Sequence, residues 1–213
     1  MNSDDDILLV SRKGQAIRFT ADDTQLRPMG RATSGVMGMK FRASDSLLSM
    51  SVIRAEQVAL EEAEEAAKPQ YVFTMTDGGY AKRTRISDYR TQSRGGLGIK
   101  AMSLTNEDRG GIVGAFIVVE GDEILSITSE GQVVRSPIND QFRATGRSTM
   151  GVKFVSPRNG DTVAVVARSV EKDAEVEEAV EEAIEAVEAE ATEDATIEAD
   201  SDDVGTEPGR SDV

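Results

Sequence analysis

Regularly repeated cations are the residues of this 213-residue chain whose types and spacing suit binding chemistry. Two sets have one member in each of three stretches: Arg18, Arg83 and Arg135, and Arg31, Arg94 and Arg147. A third set consists of Lys100 and Lys153, and the first stretch has Met37 at that position and Lys40 three residues later. Duplex DNA carries one negative charge per roughly 1.7 Å of its axis, so evenly spaced cations suit its backbone. Phosphate contacts position and bend DNA without reading its sequence. The sets therefore predict a track for duplex DNA, although any one arginine could instead form an ion pair between neighbouring units.

A glycine-rich segment, Gln92–Lys100, adds to these cations. It reads Gln-Ser-Arg-Gly-Gly-Leu-Gly-Ile-Lys, so flexible glycines stand beside two positive charges. Backbone N–H groups in such a loop can approach an anion closely. No Gly-Lys-Ser/Thr follows, so the segment is not a nucleotide-binding P-loop. The residues that we predict to contact DNA here are Gln92, Arg94, Gly95, Gly96, Gly98 and Lys100.

The composition excludes several classes of catalytic site. The chain has no histidine and no cysteine. Without imidazole there is no serine-type triad, and without thiols there is no disulfide, thiolate nucleophile or cysteine-ligated zinc. No apolar run reaches the roughly 18 residues that would span a membrane, and Met1–Asp6 is acidic where a signal peptide would be basic and then apolar. We expect an intracellular protein with no membrane partner, no metal and no catalytic residue in this chain.

These cations must be positioned by a structural unit that the sequence contains three times. Each copy has an apolar run, then a glycine (Gly14, Gly79 or Gly131), then an arginine four residues later. Two alternating runs around such a turn are typical of a β-hairpin. About twenty residues after the glycine comes Arg, three residues and a second glycine followed by Val or Ile. A further apolar run closes each copy, at Leu47–Val52, Ile112–Val118 and Thr162–Ala167.

Units of some 50 residues, each with three or four short strands, predict an all-β fold of radial blades, as in a propeller. We assign the blades to about 1–54, 69–121 and 122–168, and an acidic helical insertion to 55–68. Three blades cannot close a ring of the usual four to eight. We therefore expect either that the chain pairs with another copy or that it is the end of something longer.

The negative charge of the chain, −15 in total, is concentrated near its C-terminus. Residues 1–168 carry 22 basic and 21 acidic side chains together with all nine aromatics, whereas 169–213 carry 2 basic and 18 acidic side chains. The first part can bury a core. The second is a polyanion without aromatics, and we predict a disordered acidic tail.

The repeats resemble the C-terminal DNA-wrapping domain of DNA gyrase A, in the style of its actinobacterial members. The resemblance extends over 1–168 and is carried by Leu26–Val36, Gly78–Thr84 and Gly146–Val152. The stretch Gln92–Gly98 is similar to the family's heptapeptide Gln-Arg-Arg-Gly-Gly-Lys-Gly, with Ser93 and Leu97 in place of two of its cations. It is closer to the weaker second copy that some members carry in a later blade.

The resemblance implies a partial β-pinwheel, with about three of the six blades of that family. It implies sequence-independent binding, bending and wrapping of duplex DNA, which supports ATP-dependent negative supercoiling by an assembled type IIA topoisomerase. The partners that it implies are duplex DNA, the remainder of DNA gyrase A and DNA gyrase B, in the cytoplasm at the nucleoid. It implies ATP and Mg²⁺ for the assembled enzyme and no cofactor for this chain, which leaves open whether the chain counts as an enzyme.

Two other interpretations remain open at this point. The equivalent C-terminal domain of topoisomerase IV is also built of blades, but that family lacks the Gln-x-Arg-Gly-Gly-x-Gly loop. A propeller that binds protein partners and ignores DNA is compatible with the near-zero net charge of residues 1–168.

Overall fold

The structure, a computed structural model, describes residues 1–63, 68–105, 109–158 and 160–169. The predicted acidic tail from residue 170 onward lies outside the described residues. The strands are β1 (Asp6–Ser11), β2 (Gln15–Thr20), β3 (Leu47–Ile53), β4 (Gln70–Thr76), β5 (Tyr80–Arg85), β6 (Ile99–Lys100), β7 (Ile112–Val119), β8 (Glu123–Thr128), β9 (Val133–Pro137), β10 (Val152–Lys153) and β11 (Val163–Ser169). The helical elements are α1 (Ala55–Glu62) and a 3-10 turn (Ile86–Asp88).

Each repeat folds into a three-stranded antiparallel unit. The hairpins β1–β2, β4–β5 and β8–β9 turn at Gly14, Gly79 and Gly131, whose φ angles are 81°, 80° and 79°. Glycine adopts this left-handed conformation without the cost that a Cβ imposes. The third strand returns to the first strand of the hairpin, so that β3 pairs with β1, β7 with β4 and β11 with β8. The predicted all-β, propeller-like fold is confirmed.

The second and third repeats each donate a short strand to the sheet of the preceding repeat, an arrangement that we call strand exchange and that the sequence analysis did not predict. Strand β6 follows β5 in the second repeat but pairs with β2 of the first, and β10 of the third repeat pairs with β5 of the second. The sheet orders are therefore β3-β1-β2-β6, β10-β5-β4-β7 and β11-β8-β9. The blades are thus not contiguous blocks of sequence. Within the described residues, the outer edge of β9 has no partner strand.

The second repeated glycine makes this exchange possible. Gly98 has φ 71°, and a Cβ built on it would lie 2.7 Å from the carbonyl carbon of Ala16. Gly151 has φ 76°, and its Cβ would lie 2.6 Å from the carbonyl oxygen of Ala81. Real Cβ atoms do not approach backbone so closely, so the incoming chain can reach the hairpin of the preceding repeat only at a glycine.

The hydrophobic core lies mainly between the sheets. Leu8, Val10 and Ile53 of the first repeat pack in one cluster with Tyr89 and Met102 of the second. A second cluster joins the second and third repeats. Within it Phe73 lies 6.0 Å from Phe142 and 5.6 Å from Phe154, measured between ring centroids. Burial of these side chains against the neighbouring repeat therefore ties the three units together.

The insertion between the first two repeats begins with the helix α1. The backbone N–H of Ala55 donates to Oδ1 of Asp5 at 3.1 Å, which satisfies one free group at the helix start. Val58 packs against the first interblade cluster, so the helix is attached to the body although none of its residues is buried. No helix in the described ranges is long and apolar enough to cross a membrane.

Candidate nucleic-acid interface

Three homologous segments follow the second strand of each hairpin, and two of them contain the short strand that pairs with the preceding repeat. We call all three segments the exchange loops. Exchange loop 1 is 27–42, exchange loop 2 is 90–105 and exchange loop 3 is 143–158. Each begins with an arginine and has its repeated glycine eight residues later. Loops 2 and 3 contain β6 and β10, and the matching part of loop 1, Val36–Met37, forms no strand and is exposed.

The exchange loops segregate the charge of the body. Together they carry eleven basic residues and no acidic one, whereas the rest of residues 1–168 carries eleven basic and 21 acidic residues. The eleven are all exposed or partly exposed, and none forms an ion pair with a described carboxylate: Arg27, Arg31, Lys40, Arg42, Arg90, Arg94, Lys100, Arg143, Arg147, Lys153 and Arg158. The near-zero net charge of the body therefore hides a strongly cationic set of loops. Counting charges segment by segment could have found it in the sequence.

Backbone hydrogen bonds connect each exchange loop to the next. Between loops 1 and 2, the N–H of Gly95 donates to the carbonyl of Gly38 at 2.7 Å, and the N–H of Lys40 donates to that of Gly96 at 2.8 Å. Between loops 2 and 3, the N–H of Ser103 donates to the carbonyl of Thr149 at 3.0 Å. The cations of successive repeats thus follow one another along connected backbone.

The second arginine set helps to hold this connection. Arg94 donates from Nε to the carbonyl of Gln25 and from Nη1 to that of Met37 at 3.1 Å. Arg147 donates from Nη1 to the carbonyl of Lys100 at 3.2 Å, and Lys100 occupies the position equivalent to Met37. Each side chain is partly exposed, so part of its guanidinium fork faces solvent. Arg31, the third member, is exposed.

The first arginine set corrects our expectation of a solvent-facing column. Arg18 is 7% exposed and pairs through Nε with Oδ2 of Asp6 at 2.7 Å. Its Nη1 reaches the carbonyls of Ile86 and Tyr89 in the second repeat, at 3.3 and 3.2 Å. This guanidinium therefore joins two repeats and cannot meet a phosphate.

Arg83 repeats the arrangement one repeat further on. It is 4% exposed, lies 4.7 Å from the centroid of the Tyr71 ring and donates from Nη2 to the carbonyl of Asn139 at 3.2 Å. We remove Arg18 and Arg83 from the DNA contacts, because strand exchange and the next sheet cover them. Arg135 is exposed but forms an ion pair with Glu123.

The other predicted contacts divide by their surroundings. The N–H of Gln92 donates to the carbonyl of Arg18 at 2.7 Å and its side-chain Nε2 is buried, so Gln92 anchors exchange loop 2. Gly95 has φ 76°, and a Cβ on Gly96 would contact the side chain of Ile17 at 3.5 Å, so both shape the loop.

The three lysines of the prediction are all exposed. Lys40 and Lys100 lie in exchange loops 1 and 2. Lys153, in exchange loop 3, donates to the carbonyl of Gly78 at 2.9 Å and lies over the Tyr80 ring at 4.7 Å from its centroid. An exposed cation that the sequence analysis did not single out begins each exchange loop: Arg27, Arg90 and Arg143.

Comparison with known families follows the same three repeats. A family described as the DNA gyrase C-terminal domain, beta-propeller, matches residues 5–54, 70–118 and 122–168, which is more than half of the chain. The chain belongs to this family. The resemblance to DNA gyrase A of actinobacterial type is thereby confirmed.

The relatives are longer than this chain. The DNA gyrase A protein of a Nocardioides species is 68% identical over 194 residues, which covers 83% of this chain and 21% of the relative. The DNA gyrase A protein of Streptomyces coelicolor is 52% identical over 177 residues, covering 83% of this chain and 19% of the relative. The chain thus spans about a fifth of the length of these relatives.

Solved structures share the fold of the gyrase C-terminal domain family. A DNA gyrase A C-terminal domain matches with a TM-score of 0.64 at 24% identity, covering 80% of this chain and 52% of that one. The C-terminal domain of a DNA topoisomerase IV matches with a TM-score of 0.67 at 19% identity, covering 80% and 48%. At these identities the match concerns the fold alone.

Proposed function

We propose that the exchange loops bind duplex DNA without sequence preference and bend it around the body. The observation that carries this proposal is the complete absence of acidic residues from three connected loops with eleven cations, in a body whose remainder is acidic. Such segregation of charge destabilises the folded protein through repulsion among the loops, and a scaffold for protein partners would gain nothing to offset that cost. A duplex that follows the loops would have its charge neutralised on one side and would bend toward them.

The wider role that we propose follows from the relatives. In an assembled gyrase, with the remainder of DNA gyrase A and with DNA gyrase B, a wrapped duplex would support ATP- and Mg²⁺-dependent negative supercoiling. This chain would supply the wrap, and the nucleotide and metal would be bound elsewhere. No group of three or more acidic side chains in the described ranges is placed to hold a metal ion.

Charge neutralisation at matched positions tests the proposal. The first variant removes one cation from each exchange loop: Arg27→Gln, Arg90→Gln and Arg143→Gln. The control removes three exposed cations outside the loops: Arg12→Gln, Lys68→Gln and Arg85→Gln. Both variants lose the same net charge, and no described side-chain hydrogen bond or ion pair is removed in either.

Affinity for a 40-base-pair duplex of arbitrary sequence is then measured by fluorescence anisotropy over a range of salt concentrations. Three lost phosphate contacts should make the slope of log K against log salt less negative by about 2.7 and weaken binding at least about tenfold near 0.1 M salt. The control should stay close to the unaltered protein. Equal losses in both variants, or no binding by the unaltered chain at low salt, would refute the proposal.

Wrapping requires a separate measurement. A nicked plasmid is sealed by ligase in the presence of the chain, and the linking number is then read on a gel. Bending around the body should shift the distribution of topoisomers, and the loop variant should reduce that shift. Binding without any shift would leave a DNA-binding surface that does not wrap.

A further inference from the structure

Lys82 is a cation that no other repeat has at the same position. It lies in β5, three residues after the turn glycine, where the first and third repeats have Ile17 and Val134. The repeat therefore folds with an apolar side chain at this position. Lys82 is 1% exposed, so its charge hardly contacts solvent and does not contribute to solubility as a surface lysine would.

The ammonium group of Lys82 lies directly under exchange loop 3. Its Nζ donates to the carbonyl of Gly146 at 3.0 Å and to that of Arg147. No described carboxylate lies within ion-pair distance of it. A buried cation that faces backbone carbonyls and has no described carboxylate within ion-pair distance is costly, which calls for an explanation beyond packing.

Exchange loop 2 crosses the equivalent apolar residue in another way. There Gly95 and Gly96 carry the backbone over Ile17, with a left-handed φ of 76° at Gly95. Exchange loop 3 has Ser148 and Thr149 at the corresponding positions. Its Gly146 and Arg147 carbonyls accept hydrogen bonds from Lys82 instead, so the ammonium contacts the backbone of this loop directly.

We propose that Lys82 is a positioning residue for DNA binding: it holds exchange loop 3 from below and supplies a positive charge that couples phosphate binding to its own protonation. This inference rests on the proposed function of the exchange loops. A phosphate on the outer side of the loop would add a negative charge beside an ammonium that has no described carboxylate within ion-pair distance. Bound DNA would therefore favour the charged form of Lys82.

The pH range of this coupling follows from the surroundings. Burial, opposed by the carboxylate of Asp88 and reinforced by the guanidinium of Arg147, lowers the pKa of Lys82 to about 7. The Tyr89 phenol, which is close to the same two charges, has its pKa raised by burial and does not titrate near neutrality. A neutral amine retains two N–H donors for the two carbonyls, so deprotonation removes the charge rather than the hydrogen bonds.

The composition of the chain makes this coupling measurable. There is no histidine and no cysteine, so no other side chain with an ordinary pKa changes its charge between pH 6.5 and 8.5. Groups outside this site are shared by every variant, so their contribution to the pH dependence cancels when the variants are compared.

The test compares DNA affinity at constant salt between pH 6.5 and 8.5 for the unaltered chain, Lys82→Met and Lys82→Arg. If binding raises the pKa of Lys82 by half a unit to one unit, the affinity of the unaltered chain falls by about 2.5- to sixfold over this range. Lys82→Arg keeps a charge and donors throughout and should bind with little pH dependence. Lys82→Met should give an equally flat profile at the lower affinity.

Calorimetry in buffers of different ionisation enthalpy provides a second readout. At pH 7.5 the unaltered chain should take up a fraction of a proton on binding DNA, and both variants should take up less. Comparison of the unaltered chain with Lys82→Arg decides the question even if Lys82→Met fails to fold, which thermal unfolding would reveal.

The outcomes separate this inference from the proposed function. If the unaltered chain binds DNA with no pH dependence and no proton uptake beyond that of the variants, the inference is wrong and the proposed function stands. A weaker Lys82→Met beside a flat unaltered profile would likewise overturn the coupling, because it would leave a purely structural role. If the chain does not bind DNA at all, the proposed function itself fails.

Discussion

Substitution of Gly98 by alanine should separate the cost of a strained backbone from the cost of blocking strand exchange. The residue has φ 71°, where an L-amino acid costs about 1 to 2 kcal/mol more than glycine. The added methyl group would also lie 2.7 Å from the carbonyl carbon of Ala16 and 3.3 Å from the nitrogen of Ile17. Because both atoms are backbone, exchange loop 2 must shift, at a cost of about 1 to 3 kcal/mol as in other overpacked sites.

Gly35→Ala is the matched control. Gly35 occupies the same position in the first repeat, with φ 74°, and a Cβ built on it meets nothing within 4 Å. The backbone cost is therefore shared by the two variants. The reduced freedom of the unfolded chain, which favours alanine, is also the same in both and cancels. The difference between them isolates the close approach of exchange loop 2 to the first sheet.

Thermal unfolding measures this difference. For a domain of this size, 1 kcal/mol corresponds to about 2 to 4 °C, so Gly98→Ala should unfold roughly 2 to 12 °C below Gly35→Ala. It should also bind DNA more weakly, because exchange loop 2 carries three of the proposed contacts. Equal melting temperatures for the two variants would refute the argument that the glycine is needed for the exchanged strand.

Three further predictions concern other parts of the molecule. Arg18→Ala should lower the free energy of unfolding, measured in urea, by about 3 to 5 kcal/mol, because it leaves the carboxylate of Asp6 buried without its partner. The slope of log K against log salt for DNA binding should not change. A less negative slope would return Arg18 to the phosphate contacts. The pKa of Lys82 is about 7 in the folded chain, below the ordinary lysine value of 10.5, so the unfolded chain holds more protons between these two pH values. The free energy of unfolding should therefore rise with pH in this range, by at most about 1.4 kcal/mol per pH unit, in the unaltered chain but not in Lys82→Met. Parallel curves for the two proteins would contradict this. Residues 170–213 carry 2 basic and 18 acidic side chains, so this tethered polyanion should compete with DNA for the cations. Its removal should tighten DNA binding at low salt and have less effect as salt rises. Unchanged affinity at low salt would indicate that the tail only keeps the protein soluble.

The hairpins and their turns could be predicted because their causes are local. Gly14, Gly79 and Gly131 recur in alternating sequence, and the structure confirms a strand on each side of all three turns. A strand pairing between residues close in sequence follows from turn chemistry and from the period of apolar residues. The helix between the first two repeats was predicted from its alanine and glutamate content for the same reason.

The exchanged strands could not be predicted in this way. Ile99–Lys100 and Val152–Lys153 are two residues long, too short to carry a periodic pattern, and each pairs with a hairpin some eighty or seventy residues earlier in the chain. The repeated glycines Gly98 and Gly151 marked the place where they approach. Which backbone they approach depends on how the repeats dock, and that is a property of the folded chain.

The sequence by itself determined that cations recur in register, that the exchange loops lack acidic residues and that the repeats belong to the gyrase C-terminal domain family. The tertiary structure decided which of those cations can meet a phosphate. Arg18 and Arg31 look alike in the repeat, yet the first is covered by the second repeat and the second is exposed. Lys82 looks like one more surface cation until its ammonium is found beneath exchange loop 3. The reason is physical: spacing along the chain fixes which residues are equivalent, whereas burial, and with it charge pairing and pKa, depends on the neighbouring sheet that packs over them.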